Sequence, residues 1–285
     1  MKLFVTGAGS FIGRRLFARC KEMGIDAVGI DSAAIAESYS TQADIRDPEI
    51  AGLIPEGATV VHLAAISRDP DCRADPRTAF DVNVNGTLNV ASAAEKRKAA
   101  QLIFASSEWV YGDVANDGVQ LENHPIDVTQ MKSEYALTKI VGEQVLRLTC
   151  KLPAVTVLRF GIVYGPRPSN WSAVEALFNA VRERDAVSVG SLATGRRFIH
   201  VDDIVSGILK SVERKGFEIF NLSGDKIVTL GEVVAQSSEL LKRRPPIEEK
   251  NPTVVSIRNP DNAKAKKLLG WAPKIGLKEG LTTLL

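Results

Sequence analysis

Along the chain, short uninterrupted apolar runs alternate with longer stretches in which apolar positions recur every three or four residues. The runs over 2–6, 27–31, 59–64, 101–106 and 154–159 predict strands. The periodic stretches over 11–23, 77–98, 133–149, 172–184 and 202–214 predict helices. Strands such as Val60-Val61-His62-Leu63-Ala64 lack polar alternation, as expected where helices cover both faces of a parallel sheet. The regular order breaks after Gly165-Pro166-Arg167-Pro168, and a later strand over 217–222 is predicted to return to the sheet. Pro245-Pro246, Pro252 and Pro260 then divide the C-terminal stretch into short elements that read as a smaller substrate lobe.

The first strand runs into Phe4-Val5-Thr6-Gly7-Ala8-Gly9-Ser10-Phe11-Ile12-Gly13, a glycine turn opening a helix. Glycines there permit positive φ and close backbone approach, while the free N–H groups of the helix start face an anion. This is where a dinucleotide pyrophosphate sits in a Rossmann-type, doubly wound α/β fold. The spacing departs from the three-glycine pattern, since Ser10 holds the middle position between Gly7 and Gly13, with Gly9 displaced by one. About twenty residues on, Ala27-Val28-Gly29-Ile30 ends at Asp31, whose carboxylate can accept from both adenosine ribose hydroxyls. A 2′-phosphate there would meet like charge with no arginine directly following, so Asp31 favours NAD over NADP. The expected division is an NAD-binding domain over 1–166, rejoined by 197–222, and a substrate lobe from 167–196 and 223–285.

Composition narrows the class further. A chain of 285 residues, 45% of them hydrophobic, can bury one large core or a core with a satellite. The net charge of +2 and the short run Lys96-Arg97-Lys98, read as a solvated helix end, give no nucleic-acid surface. Cys20, Cys72 and Cys150 are few and far apart, without metal-ligand spacing, which suits a reducing compartment and predicts no metal. The first apolar stretch is cut at once by the glycine turn, and no run reaches membrane-spanning length. These features predict a cytoplasmic protein with neither membrane nor nucleic acid as partner.

Tyr135 and Lys139 stand at i and i+4, on one helix face. An ammonium near a phenol stabilises the phenolate and makes the tyrosine a usable general acid or base. Upstream, Phe104-Ala105-Ser106-Ser107 closes a strand, and Ser107 can hydrogen-bond the same substrate hydroxyl. With these residues the chain resembles the extended short-chain dehydrogenase/reductase family, in particular its nucleotide-sugar epimerase/dehydratase branch. The likeness spans nearly the whole chain. It includes Thr6 to Gly13, Ala43-Asp44-Ile45-Arg46-Asp47, Val61 to Ala65, Asn83-Val84-Asn85-Gly86-Thr87 and Ser106 to Gly112. It continues through Tyr135 to Lys139, Leu158 to Pro166, Arg196 to Asp203, Phe220-Asn221-Leu222 and Lys264 to Pro273.

The resemblance implies NAD as cofactor, held along Gly7, Ser10, Phe11, Ile12 and Gly13, with Asp44 and Ile45 at the adenine. It implies Ala64 and Ala65 at the pyrophosphate and ribose, Lys139 on the nicotinamide ribose, and Arg196 on the diphosphate of a nucleotide-sugar. It also implies a homodimer formed through the helices over 77–98 and 133–149. Several residues keep two readings. Asn83 either bonds backbone beside the site and supports the lysine, or is a plain polar helix residue. Arg258 is either a second diphosphate ligand or a charge ahead of a helix capped by Asp261 and Asn262. Arg167 either lines the substrate cleft or faces solvent. His62 reads as a strand residue rather than a catalyst, His200 as the lead from strand into helix, and Arg159 as structural.

The two residues after the serine distinguish the reactions. Dehydratases of this scaffold place two acidic residues there, because elimination needs an acid and a base. Here Glu108 keeps one carboxylate and Trp109 takes the second position, both counted among the substrate-binding residues. Ser107, Tyr135, Lys139 and NAD suffice for sugar epimerisation by transient oxidation and hydride return. A sugar dehydrogenase or ketoreductase is the alternative, and a noncatalytic NAD sensor a more distant one. A further departure is Ile162, where many relatives carry Asn before Val163-Tyr164-Gly165-Pro166. That leaves room for a substrate held differently.

Overall fold

The computed structural model describes residues 2–113, 118–169 and 172–285. In chain order the strands are β1 Lys2–Thr6, β2 Asp26–Asp31, β3 Ser40–Gln42, β4 Thr59–His62, β5 Gln101–Ser107, β6 Ala154–Phe160, β7 Val163–Tyr164, β8 Val187–Val189, β9 Gly195–Arg196, β10 Ile199–His200, β11 Gly216–Leu222, β12 Val228–Thr229 and β13 Ile247–Glu249. The helices are α1 Phe11–Met23, α2 Asp69–Ala74, α3 Pro76–Phe80, α4 Gly86–Lys96, α5 Glu134–Thr149, α6 Ala173–Glu183, α7 Val201–Lys210, α8 Leu230–Leu241, α9 Ala263–Leu269 and α10 Leu277–Thr282. The chain divides into two compact units, one of residues up to Val110 with Pro125–Arg159 and Gly207–Phe220, the other of Tyr111–His124, Phe160–Ser206 and Asn221–Leu285.

A seven-stranded parallel sheet in the order β11-β6-β5-β4-β1-β2-β3 organises the first unit. Val5 lies opposite Gly29 on one side and Val61 on the other, and Val61 lies opposite Ile103, so the central strands run parallel in register. Every residue of β5 is buried, because helices shield both faces of a doubly wound sheet. Phe4, Ile30, Val60, Leu102, Phe104 and Val157 pack there with Val90, Ala94 and Leu146 from the helices. The chain leaves β1 for β2 on one side and later returns to β4 on the other, which makes the β1/β4 boundary the switch point where such folds bind ligands.

The single helix expected over 77–98 is broken into α3, a π turn at Asp81–Asn85, and α4. The wider turn carries Asn83, whose side chain is buried. Gly86 follows it because a Cβ there would lie 2.6 Å from Ile45 Cδ1. The edge strand β3 has no counterpart among the expected elements, being only three residues long and mostly exposed.

The second unit is built around Tyr164, Phe178, Val181, Phe198, Val228, Val233 and Leu281. Its strands form three short pairs, β7 with β10, β9 with β12 and β8 with β13. The 12-residue α8 is longer than the short elements expected there. Its start is set by a capping box, in which Glu232 N–H donates to Thr229 Oγ1 at 3.1 Å and Thr229 N–H donates to Glu232 Oε2 at 2.7 Å. Buried Asp203 accepts from the N–H groups of Lys274 and Ile275, each at 2.9 Å, and pins the stretch before α10. Asn262 is the N-cap of α9, but the side-chain bond to the helix start comes from Asp261. Asp261 Oδ1 accepts from Ala263 N at 2.6 Å, while the Asn262 amide donates to Ser223 O at 2.8 Å and Asp225 Oδ1 at 2.9 Å. Among the described residues no helix is long and apolar enough to cross a membrane.

Candidate active site

The glycine turn is shaped by contacts that leave no room for a Cβ. Gly7 sits at φ +74°, and a Cβ there would lie 2.8 Å from Ala64 N; at Gly13 it would lie 2.3 Å from Gly7 O. Ser10 is the N-cap of α1 in extended conformation, and its Oγ accepts from Gly13 N at 3.1 Å. No glycine is required at that position. The tight contact falls instead on Gly9, where a Cβ would meet Ile35 Cγ2 at 2.8 Å and Asp31 Oδ2 at 3.2 Å, which accounts for the displaced spacing. Phe11 and Ile12 follow as half-buried residues in the first turn of α1.

Asp31, at the end of β2, accepts from Gly9 N at 2.9 Å through Oδ2 and from Ala33 N at 3.0 Å through Oδ1. Arg14 stands close by. Its Nε donates to Gly9 O at 3.0 Å and its guanidinium pairs with Glu37. Both Asp44 oxygens are engaged by Arg46, which holds that carboxyl below the usual carboxylate range. Ile45 is buried against Gly86, and Ala64 and Ala65 are half-buried beyond β4. The cradle, the capped helix start and the acidic strand end fit a dinucleotide.

On the face of α5 toward β5, Lys139 Nζ donates to Ala105 O at 2.8 Å and lies 4.9 Å from the Phe104 ring centroid and 5.8 Å from that of Tyr135. The Tyr135 phenol is hydrogen-bonded to the Ser107 side chain, which pulls its pKa down, but burial is the larger effect and pushes it well up. Burial likewise pushes the Lys139 ammonium down, to about 8. Trp109 N–H donates to Ser107 Oγ at 3.3 Å, and the Trp109 ring meets Tyr135 edge-on at 6.5 Å. Glu108 is fully buried. So Ser107, Tyr135, Lys139 and Trp109 form one cluster.

Asn83 holds the Ile66 backbone at both ends, accepting from N at 2.8 Å and donating to O at 2.9 Å. It also donates to Thr138 Oγ1 at 3.0 Å, so it braces α5 next to Lys139 rather than touching the lysine. His62 bonds Thr6 Oγ1 at 2.7 Å and Thr87 Oγ1 at 2.9 Å, and burial pushes its pKa to about 3, so it stays neutral and ties strands to helix. Arg159 forms a buried ion pair with Glu143.

In the second unit Arg196 donates to Ser256 O and Ser256 Oγ, each at 2.6 Å, and lies 3.9 Å from Asp113 Oδ1. Arg258 Nε lies 3.2 Å from the same oxygen, which also accepts from Ser256 Oγ at 2.7 Å. Two guanidinium groups thus share one carboxylate. Arg167 is paired with Glu175 at 2.8 Å and is 11% exposed, so it does not face solvent. Ile162 packs against the apolar core of its unit.

Sequence reading missed Thr138, Ser256, Asp113, Arg14 and Cys72. Cys72 is buried on α2, and its Sγ is bonded to Ile66 O at 3.5 Å. Glu143 belongs with the missed residues, and it alone carries a pattern, since it extends the spacing of Tyr135 and Lys139 by another four.

A family model described as NAD dependent epimerase/dehydratase matches residues 3–223. A putative UDP-glucose 4-epimerase of Methanocaldococcus jannaschii is 29% identical, covering 98% of this chain and 95% of the relative. UDP-glucuronic acid decarboxylase 4 of Arabidopsis thaliana is 26% identical over all of this chain and 68% of its own length. The solved structure of MoeE5 with UDP-glucuronic acid and NAD is 27% identical, covers all of this chain and 97% of that one, and superposes with a TM-score of 0.88.

The burial of Lys139 has a measurable consequence. Its ammonium persists to about 10.5 in the unfolded chain but only to about 8 in the fold, so stability rises with pH across that window and the burial penalty is fully present below it. Lys139→Met is therefore expected to stabilise the protein at pH 7 by roughly 1–2 kcal/mol, after allowing for the lost bond to Ala105. In urea unfolding that advantage should vanish by about pH 9.5. A gain independent of pH, or a loss at pH 7, would contradict a strained buried ammonium.

Proposed function

The chain belongs to the NAD dependent epimerase/dehydratase family, and from that premise we propose that it is a UDP-sugar epimerase. The observation that carries the reading is the single cluster in which the half-buried Tyr135 phenol bonds Ser107 while buried Lys139 is fixed one turn along the same helix. Gly7, Ser10, Gly13 and Asp31 would hold NAD, which would supply the hydride acceptor and donor for a sugar carbon. Tyr135 takes the hydroxyl proton as the alcohol becomes a ketone and gives it back when the alcohol re-forms with inverted configuration. Ser107 orients that hydroxyl, and the Lys139 ammonium favours the phenolate. Arg196 and Arg258, already converging on one carboxylate, are suited to a diphosphate.

Two observations favour epimerisation over elimination. Trp109 presents an aromatic edge to Tyr135 where a second acid would be needed, and Glu108 is buried. Decarboxylation of a UDP-uronic acid begins with the same oxidation, and decarboxylases stand among the relatives. We also infer a homodimer, because half-exposed Phe80, Val84 and Leu88 form one apolar stripe and Leu137, Val141 and Val145 another along α5.

Incubation with UDP-glucose, UDP-galactose and UDP-glucuronate, without added reductant and followed by NMR, should give an epimer with no net NADH. Release of CO2 from UDP-glucuronate would instead support a decarboxylase, and stoichiometric NADH a dehydrogenase. Tyr135→Phe should lower turnover on the order of a hundredfold with NAD affinity nearly unchanged; full activity would remove Tyr135 from the mechanism.

Calorimetry should show NAD binding more tightly than NADP, with Asp31→Ala narrowing the gap. Tighter NADP binding by the unaltered protein would contradict this and point to Arg14 as the phosphate ligand. Sedimentation at micromolar concentration should return a dimer; only monomer would refute the pairing.

A further inference from the structure

We propose that Glu143 is a positioning residue for the catalytic cluster: its carboxylate, held by Arg159, keeps Lys139 an ammonium, and its bond to Ser106 seats the end of β5 that carries Ser107. This role rests on the proposed epimerase site and extends it one helical turn deeper.

The geometry is unusual for the interior of a sheet. Glu143 and Arg159 have side-chain exposures of 0% and 3%, and Arg159 Nη2 lies 2.6 Å from Glu143 Oε2, with Arg159 Nε donating to Oε1 at 3.0 Å. Ser106 Oγ donates to the same Oε1 at 2.5 Å. One carboxylate thereby joins β5, α5 and β6. A buried ion pair is weak support for stability, because desolvation offsets its attraction and apolar side chains of similar volume serve as well. Its position offers a different reason. Tyr135, Lys139 and Glu143 recur every four residues on α5, so the carboxylate is one turn from the ammonium. Ser106 lies between Ala105, whose carbonyl receives Lys139, and Ser107, which bonds the phenol.

The groups facing Lys139 can be weighed against each other. Tyr135 and Glu143 come from its own helix, Cys72 from α2 and His62 from β4, while β5 presents the Ala105 carbonyl and the Phe104 ring. Burial depresses the ammonium, whereas charge on Cys72 or Glu143 would raise it. Burial pushes the Cys72 thiol to about 11, so it is neutral when the enzyme works. His62, with its pKa near 3, is neutral as well. Burial pushes the Tyr135 phenol well up, so before cofactor and substrate bind it stands neutral too. Glu143 is thus the standing anion beside Lys139, and Arg159, from β6, holds that carboxylate in place.

The direct readout is Lys139 itself, by NMR titration of its Nζ in protein carrying 15N-lysine, assigned with Lys139→Met. Glu143→Gln keeps the volume and an acceptor oxygen but removes the charge, and should lower the midpoint by about half a unit to one unit. Glu143→Asp retains the charge and should leave the midpoint within about 0.3 unit. Should Glu143→Gln fail to fold around an unpaired Arg159, the double variant Glu143→Gln/Arg159→Met removes both charges and should show the same drop. In turnover, the alkaline limb of the kcat profile should move down in Glu143→Gln with KM unchanged. A midpoint unmoved in Glu143→Gln or in the double variant overturns the proposal and leaves the pair a structural tie. A shifted midpoint in a protein that turns over no UDP-sugar upholds it while removing the epimerase reading, so the two failures are distinguishable.

Discussion

A lysine ammonium taken out of water is the constraint on which the rest of the site depends. Lys139 is held on the Ala105 carbonyl beside the Phe104 ring, and a charge there is tolerated only with a hydrogen-bond acceptor, a π face and an anion nearby. Each requirement fixes a neighbour. The acceptor demands that α5 cross β5 closely, which Gly142 permits, since a Cβ there would lie 2.8 Å from Phe104 Cζ. The anion requirement places Glu143 in the core, and Glu143 in turn needs Arg159. The same face then delivers Tyr135 to Ser107 at the carboxyl end of β5, where a parallel sheet presents ligands.

Close backbone approach does the corresponding work at the cofactor end. Gly7 against Ala64 and Gly13 against Gly7 draw β1, α1 and the segment after β4 together at the switch point of the sheet. Asp31 accepts from Gly9 and Ala33, so the residue suited to a ribose diol also fixes the turn before any ligand arrives. The π turn serves the end that holds Tyr135 and Lys139. By widening one turn of the helical stretch it brings Asn83 to Ile66 and Thr138 and braces the segment after β4 against α5.

The parts of this arrangement legible in sequence were those with a period. Continuous apolar runs marked β1, β4, β5 and β6, and the four-residue spacing joined Tyr135 to Lys139. Glycine spacing marked the turn, although Ser10 became intelligible only once its Oγ was seen to cap α1 while Gly9 took the tight contact. The features that escaped depend on long-range packing. A π turn has no signature in its residues, and β3 is too short to show alternation. The sharing of Asp113 by Arg196 and Arg258 joins residues more than eighty positions apart. Asn83 and Arg167 each had two readings because only the fold decides whether a polar residue turns inward, and here both do.

In the proposed reaction the Ser107, Tyr135 and Lys139 cluster moves a proton while hydride leaves and returns to one sugar carbon. UDP-glucose carrying deuterium at C4, incubated with the protein and NAD in ordinary water, tests this directly by NMR of the product. The expected product is UDP-galactose that retains the deuterium at C4. Loss of the label to solvent, which would require abstraction of the carbon-bound hydrogen as a proton, would contradict hydride return.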